Sequence, residues 1–163
     1  MVMRANEKVT PLIITPTNPA APESRELMEE LSVALAAITG DSGKASFDPD
    51  DVRGANARFV VARNDTDAAV GCGAFRPLQP GIAEIKRMYS RPNNPGTGSA
   101  ILLYLEAEAA ALGYHALWLE TRLINTRAVQ FYEARGYARI ENFGKYLGNP
   151  LAVCFEKRLV NTA

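Results

Sequence analysis

The stretch Ser90-Arg91-Pro92-Asn93-Asn94-Pro95-Gly96-Thr97-Gly98-Ser99-Ala100 decides how this chain folds. An apolar strand pattern carrying Ala83, Ile85 and Met88 enters it, and an amphipathic helix pattern leaves it, from about Thr97 to Leu112. The turn between holds two glycines, two prolines and two asparagines. Small residues let a backbone approach a ligand closely, and the first N–H groups of a helix lack internal partners at the positive end of the helix dipole. Strand, glycine turn and helix start therefore read either as a phosphate cradle or as an ordinary loop with a tight helix entry.

Upstream, Pro11–Thr15 reads as a first strand, and the proline-rich Pro16–Pro22 as its link to a helix beginning near Pro22-Glu23-Ser24. Leu27, Leu31, Ala34, Leu35 and Ile38 form the apolar stripe of that helix, and Gly40 ends it. Asp41–Asn56 is polar and reads as a loop, one that could lie over a site. Its Gly43-Lys44 pair resembles the tail of a nucleotide-binding P-loop, but Ile38 stands where the leading glycine belongs and Ala45 where Ser or Thr belongs. Arg58–Arg63, Ala69–Phe75 and Ile82–Ser90 read as three antiparallel strands, with Gly71 and Gly73 as weak points or bulges in the second.

Downstream, Leu102, Leu105, Ala109 and Leu112 share a helix face, and Gly113 ends that helix. His115–Thr121 is an apolar strand, Asn125 can cap a helix carrying Ala128, Val129 and Tyr132, and Gly136 closes it. Tyr137–Ile140 and Leu151–Leu159 are the last two strands. The crossover from the fourth strand to the fifth must be right-handed and parallel if both join one sheet. The expected class is therefore α/β, an α+β mixed sheet with helices on both faces.

At 163 residues, 47% apolar and 22% charged, the chain suits a single domain over residues 1–163 with a substantial core. A formal net charge of zero gives no bulk attraction for nucleic acid or a membrane surface. No apolar run is long enough to span a bilayer, and the first residues lack the regions of a signal peptide, so a cytoplasmic protein is expected. Cys72 and Cys154 show neither metal-ligand spacing nor a disulfide framework; no metal is expected, and two buried thiols are. His115, the sole histidine, reads as structural, and Trp118 as core.

Two motifs make the reading specific. Glu84-Ile85-Lys86-Arg87-Met88-Tyr89 followed by Gly96-Thr97-Gly98-Ser99-Ala100-Ile101-Leu102-Leu103 resembles the cofactor motif of GNAT-type N-acetyltransferases. Asn125-Thr126-Arg127-Ala128-Val129-Gln130-Phe131-Tyr132-Glu133-Ala134-Arg135-Gly136-Tyr137 resembles the motif that follows it, and Cys154-Phe155-Glu156-Lys157 a frequent last strand. The resemblance covers about residues 57–160, and the first part by element order.

It implies a mostly antiparallel sheet of six to seven strands, splayed between strands four and five, with the pantetheine arm of acetyl-CoA inserted there like an extra strand. Met88, Tyr89 and Ser90 would pair with that arm; Gly96, Thr97, Gly98, Ser99 and Ala100 would hold the pyrophosphate; Asn125 would cap its helix and touch the cofactor. Glu84 would remove the amine proton, or instead pair with Lys86 or an arginine. Backbone N–H near Met88 would stabilise the oxyanion, and Tyr132 would protonate the departing thiolate. Asn93 departs from the family, which places Gln or Arg there, and Pro95 removes an N–H; either a basic contact to the phosphates is missing or Arg91 supplies it from another angle.

The resulting expectation is transfer of an acetyl group from acetyl-CoA to a primary amine of a small molecule. The alternatives are a protein lysine or N-terminus as acceptor, or a catalytically silent acyl-CoA-binding module. A monomer and a homodimer both stay open. Asp41, Asp48, Asp50 and Asp51 read either as an acidic rim that would favour a cationic amine, such as an amino acid derivative or polyamine-like compound, over an anionic acceptor, or as a solvated loop with helix caps, while Phe143 and Tyr146 could line the acceptor pocket or merely pack on the sheet.

Overall fold

Residues 11–160, which the computed structural model describes, form strand β1 (Ile13–Pro16), helix α1 (Pro22–Thr39), β2 (Arg58–Arg63), β3 (Ala69–Gln79), β4 (Ile82–Ser90), α2 (Thr97–Ala111), β5 (Ala116–Arg122), α3 (Thr126–Glu133), β6 (Ala138–Ile140) and β7 (Ala152–Arg158). The reading of the first residues, and the two ends of a 1–163 domain, lie outside these residues. One sheet holds all seven strands in the order β1-β2-β3-β4-β5-β7-β6. Every pairing is antiparallel except β4 with β5.

Alternation along β2 shows how the faces divide. Val60 and Ala62 point into a core shared with Ile101, Leu102 and Leu105 of α2 and Val129 and Tyr132 of α3. Phe59 and Val61 point the other way, onto Leu27 and Met28 of α1. A period of two in the strand thus buries both faces, one under α1 and the other under α2 and α3.

The buried face of α1 is rotated from the apolar stripe read in the sequence. Leu27, Met28 and Leu31 are buried, and so are Ser24 and Ser32, whereas Ile38 is 46% exposed. Both serines have partners: Ser24 Oγ donates to the Asn18 carbonyl at 2.8 Å, and Ser32 Oγ accepts from Arg87 at 2.5 Å. A hydrogen-bonded hydroxyl can therefore occupy a core position.

Strand β3 runs on to Gln79, past the expected end at Phe75 and through Pro77. Its neighbour β2 stops opposite Phe75, so beyond that point β3 has a partner on one side alone and tolerates a residue without an N–H. Gly71 and Gly73 mark close approach of α2 rather than weakness. A Cβ at Gly71 would lie 2.8 Å from Thr97 Cγ2, and one at Gly73 2.7 Å from Ile101 Cγ2.

Strand β3 is irregular at Val70, beside Gly71, and at Leu78, and β4 carries a bulge of its own. Cys72 pairs with Tyr89 but Ala74 with Lys86, so Arg87 and Met88 together oppose Gly73. Arg87 adopts a left-handed φ of 53°. The extra residue breaks the alternation: Ile85 and Met88 pack on the α2 side, while Arg87 is turned to the α1 side, where it bonds to Met28 and Ser32.

Candidate active site

Pairing between β4 and β5 covers Ile82–Glu84 against Ala116–Trp118 and then stops. Both strands continue, to Ser90 and Arg122, and diverge. The gap opens a cavity of about 340 Å³ lined by β4 (Glu84–Met88), β5 (Leu119–Arg122), α1 and α3. Of the residues singled out from the sequence, it brings together Glu84, Met88, Asn125 and Tyr132.

The other candidates are placed around the glycine turn. Gly96 is the N-cap of α2 at φ 84°, a conformation that glycine adopts without cost. The N–H groups of Gly96, Gly98 and Ser99 make no backbone hydrogen bond among the described residues, whereas Thr97 and Ala100 donate to Asn94 and Gly96. Thr97 is buried against β3, and Gly98 faces Phe131, whose ring a Cβ there would meet at 3.4 Å. Ser90 Oγ donates to the Asn94 carbonyl at 3.4 Å and helps close the turn. The Tyr89 ring packs against the α1-side core, and its hydroxyl donates to Glu30 at 3.1 Å.

Arg91, the basic residue expected to face the phosphates, is committed elsewhere. Its guanidinium binds Glu30 at 2.6 and 2.9 Å, Glu26 at 3.2 Å and the Ala69 carbonyl at 2.7 Å. The base beside the turn is Arg135, just past α3. Its Nε donates to Ser99 Oγ at 2.7 Å, and its guanidinium lies 3.8 Å from the centre of the Phe131 ring. Sequence reading passed over it because it belongs to the second motif, and its position at the first turn of α2 depends on how the two helices pack.

Glu84 is 1% exposed and sits among cations. Oε1 is 2.9 Å from both Nε and Nη2 of Arg76; Oε2 accepts from the Tyr146 hydroxyl at 3.1 Å and lies 3.5 Å from Lys86 Nζ. Both ion pairs weighed in the sequence are therefore present, and Oε2 is on the cavity side. Lys86 in turn donates to the Tyr146 hydroxyl at 3.1 Å. Burial holds the Lys86 ammonium below its ordinary pKa, against the pull of Glu84. Across the gap, burial raises the Glu120 carboxyl above the usual carboxylate range, against the lowering effect of its hydrogen-bonded neighbour Arg122. Glu120 lines the same cavity and was missed, since one Glu on a short strand gives no signal by itself.

Tyr132 is buried among Phe131, Tyr137 and Phe155, and burial raises its phenol well above its ordinary pKa. Its side chain makes no hydrogen bond among the described residues, yet it lines the cavity. Asn125 accepts from Ala128 N at 3.2 Å, capping α3. The gap thus joins two sides of the sheet, with Tyr132 on the α3 side and Glu84, Arg87 and Glu120 on the α1 side.

Residues 24–137 match the acetyltransferase (GNAT) family. The chain belongs to the GNAT acetyltransferase family. A relative named IAA acetyltransferase, from Azospirillum brasilense, is 34% identical over 137 residues, covering 82% of this GNAT chain and 89% of that one. An uncharacterized N-acetyltransferase of Schizosaccharomyces pombe is 35% identical over 96 residues, 57% of each chain. Among solved structures, a Klebsiella pneumoniae protein named for acyl-CoA N-acyltransferases superposes with a TM-score of 0.77 at 28% identity, covering 91% of this chain and 98% of its own. A GNAT-family acetyltransferase of Staphylococcus aureus shares the fold at TM-score 0.73 and 15% identity, covering 92% of this chain and 100% of its own. A GNAT acyltransferase with a mixed sheet opening between strands four and five is what the motifs implied.

Three features of this GNAT site complete or correct the sequence reading. Asp41, Gly43, Ala45 and Ser46 line the cavity, so the loop after α1 does cover it. Asp48, Asp50 and Asp51 do not: Asp48 caps the turn Pro49–Val52 by accepting from Asp50 N, and Asp50 pairs with Arg53 at 3.4 Å. The proposed acidic rim is reduced to Asp41. Tyr146 lines the cavity, and Phe143 packs between it and Trp118. His115 packs against the Gly81 turn, away from the cavity. Among the described residues no cluster of acidic, His and Cys side chains could hold a metal, and no helix is long and apolar enough to cross a membrane.

Proposed function

We propose that the enzyme moves the acetyl group of acetyl-CoA to a primary amine of a small molecule by direct attack. The observation that carries this is the early end of the β4–β5 pairing. It leaves the β4 edge after Glu84 open to a strand-like ligand, with unpartnered N–H groups at Gly96, Gly98 and Ser99 on one end and a polar cavity on the other. The residues fit acetyl-CoA. Backbone groups of Met88, Tyr89 and Ser90 pair with the pantetheine, Gly96 to Ala100 hold the pyrophosphate with Arg135 in place of the absent Gln or Arg at Asn93, and Asn125 touches the arm from α3.

Acetyl-CoA supplies an acetyl carbon activated by a thiol leaving group. Glu84 takes the proton of the attacking amine, directly or through a water in the cavity. The N–H near Met88 donates to the carbonyl oxygen as charge gathers there. Tyr132 donates its proton to sulfur as the carbon–sulfur bond breaks. The buried surroundings that raise its phenol raise a thiol in the same gap too, so the transfer is not made steeper by burial. Glu120 is a second reading for the base, because burial raises its proton affinity while both oxygens of Glu84 already face cations or a hydroxyl. Cys72 and Cys154, both buried and free, suit the reducing cytoplasm where we place the enzyme.

Calorimetric titration with acetyl-CoA, followed by amine-dependent release of free thiol, tests the reading. Micromolar binding and thiol release with at least one small amine are expected. Absence of binding at millimolar acetyl-CoA would overturn it. Binding with no release from any amine would favour the silent module.

A further inference from the structure

The charge on the α1 side of the cavity is unbalanced in a particular way. Lys86, Arg87, Arg122 and Lys145 line it, against Asp41, Glu84 and Glu120. Each carboxylate is already matched. Glu84 has Arg76 and Lys86, Glu120 has Arg122, and Asp41 lies 3.7 Å from Arg122. Arg87 and Lys145 have no carboxylate within ion-pair distance among the described residues.

Arg87 is held by neutral acceptors alone. Nη2 donates to the Met28 carbonyl at 2.9 Å and to Ser32 Oγ, and Nη1 to the Ser42 carbonyl at 3.4 Å. Its Nε is the one buried side-chain nitrogen or oxygen without a partner among the described residues. The nearby carboxylate of Glu29 is engaged by Lys44 at 2.9 Å. Burial also disfavours the Arg87 charge. A left-handed φ at a non-glycine residue is strained and persists where the surroundings impose it. Here it turns the guanidinium from the α2 face to the cavity. Lys145 reaches the same loop from the other flank, donating to the Ser46 carbonyl at 3.1 Å, and it adds to the positive field felt by Lys86.

Building on the acetyl-transfer reading, we propose that the acceptor is an amino acid or close analogue, its amine towards Glu84 and Glu120 and its carboxylate bound between Arg87 and Lys145. An anion there supplies the counter-charge that the protein does not. With both Nη2 hydrogens committed to Met28 and Ser32, Arg87 offers a carboxylate its Nε–H and the remaining Nη1–H as charge-assisted donors, and the matched acids leave no free anionic group to hold a purely cationic acceptor such as a polyamine. This replaces the preference for cationic acceptors that the aspartate-rich loop suggested.

The test is equilibrium binding, so it does not depend on turnover. The standard L-amino acids and their C-terminal amides are titrated into the protein saturated with coenzyme A. At least one amino acid is expected to bind tenfold or more tightly than its amide, and Arg87→Gln to erase that difference. Lys145→Gln, on an exposed side chain that the fold does not need, should reduce it several-fold and covers the case in which Arg87→Gln fails to fold. If every amide binds as well as its acid, or both variants keep the preference, the carboxylate site is wrong. Failure of coenzyme A to bind would instead strike the acetyl-transfer reading, and amino-acid binding without it would still report on Arg87 and Lys145.

Discussion

Arg135 donates from Nε to Ser99 Oγ at 2.7 Å and so ties the chain after α3 to the first turn of α2. The contact sets a guanidinium beside the unpartnered N–H groups of Gly98 and Ser99. Arg135→Gln should therefore weaken acetyl-CoA binding about tenfold, the loss of one charge-assisted contact. Arg91→Gln should leave that affinity unchanged, since Arg91 is bound by Glu26 and Glu30, and should lower thermal stability instead. Calorimetry on both variants checks the assignment, and the opposite pattern would return the phosphate role to Arg91.

Tyr132→Phe should lower kcat by about ten- to a hundredfold and leave the Kd for acetyl-CoA nearly unchanged. The ring stays packed on Tyr137 and Phe155, so stability should change little. Equal turnover in the two proteins would remove Tyr132 from the chemistry.

Glu84→Gln should reduce kcat/KM most near neutral pH and less in alkali, where the amine loses its proton unaided. It also leaves Arg76 and Lys86 without their shared partner, so the melting temperature should fall. Glu120→Gln should keep most of the activity. A rate loss confined to Glu120→Gln would make Glu120 the base.

Gly73→Val should destabilise the protein by about 1–3 kcal/mol, a cost of overpacking. The added Cβ would fall 2.6 Å from Met88 Sδ and 2.7 Å from Ile101 Cγ2. Gly98→Ala meets only the Phe131 ring, at 3.4 Å, and should fold normally. Urea denaturation separates the two.

All six tyrosines have phenols held above their ordinary pKa of 10.0, each chiefly by burial. The folded state thus keeps protons that the unfolded state gives up, and stability must fall as pH rises past 10. Tyrosinate absorbance at 295 nm should lag behind that of free tyrosine and then rise together with loss of helical circular dichroism. Normal titration with the helices intact would contradict this burial.

Local patterns revealed a good deal of this architecture. Arg58–Arg63 and Ile82–Ser90 are strands at the bounds read from sequence, because turn residues punctuate both ends. The anion-cradle reading of the glycine turn drew on Gly96 and the helix behind it, both local. What escaped depends on contacts between distant segments. Ser32 is in the core because Arg87 reaches it from another element, and Arg87 reaches it because a bulge opposite Gly73 turns it over. Nothing in the run Lys86-Arg87-Met88 announces that two consecutive basic residues share a face. Glu120, Arg135 and the matched charges of the cavity became legible once strand register and helix packing were fixed.

The order of the sheet has a consequence for how the protein is made. Strands β1 to β4 pair only with strands adjacent in the chain or, at the far side, with β5. The α1-side core of Leu27, Met28, Val52, Phe59, Val61, Cys72 and Ala74, with Phe47, Ala69 and Tyr89 around it, is built wholly from residues that precede the glycine turn. The opposite core draws on residues from Val60 to Phe155. A ribosome that has released the chain as far as Ser90 has therefore exposed a half-protein whose α1-packed core is complete, whose Leu78 and Glu84 still await Phe143 and Tyr146, and whose opposite face is bare. Until α2 emerges to cover Val60, Ala62 and Phe75, that bare face is the surface on which a nascent chain aggregates or recruits a chaperone.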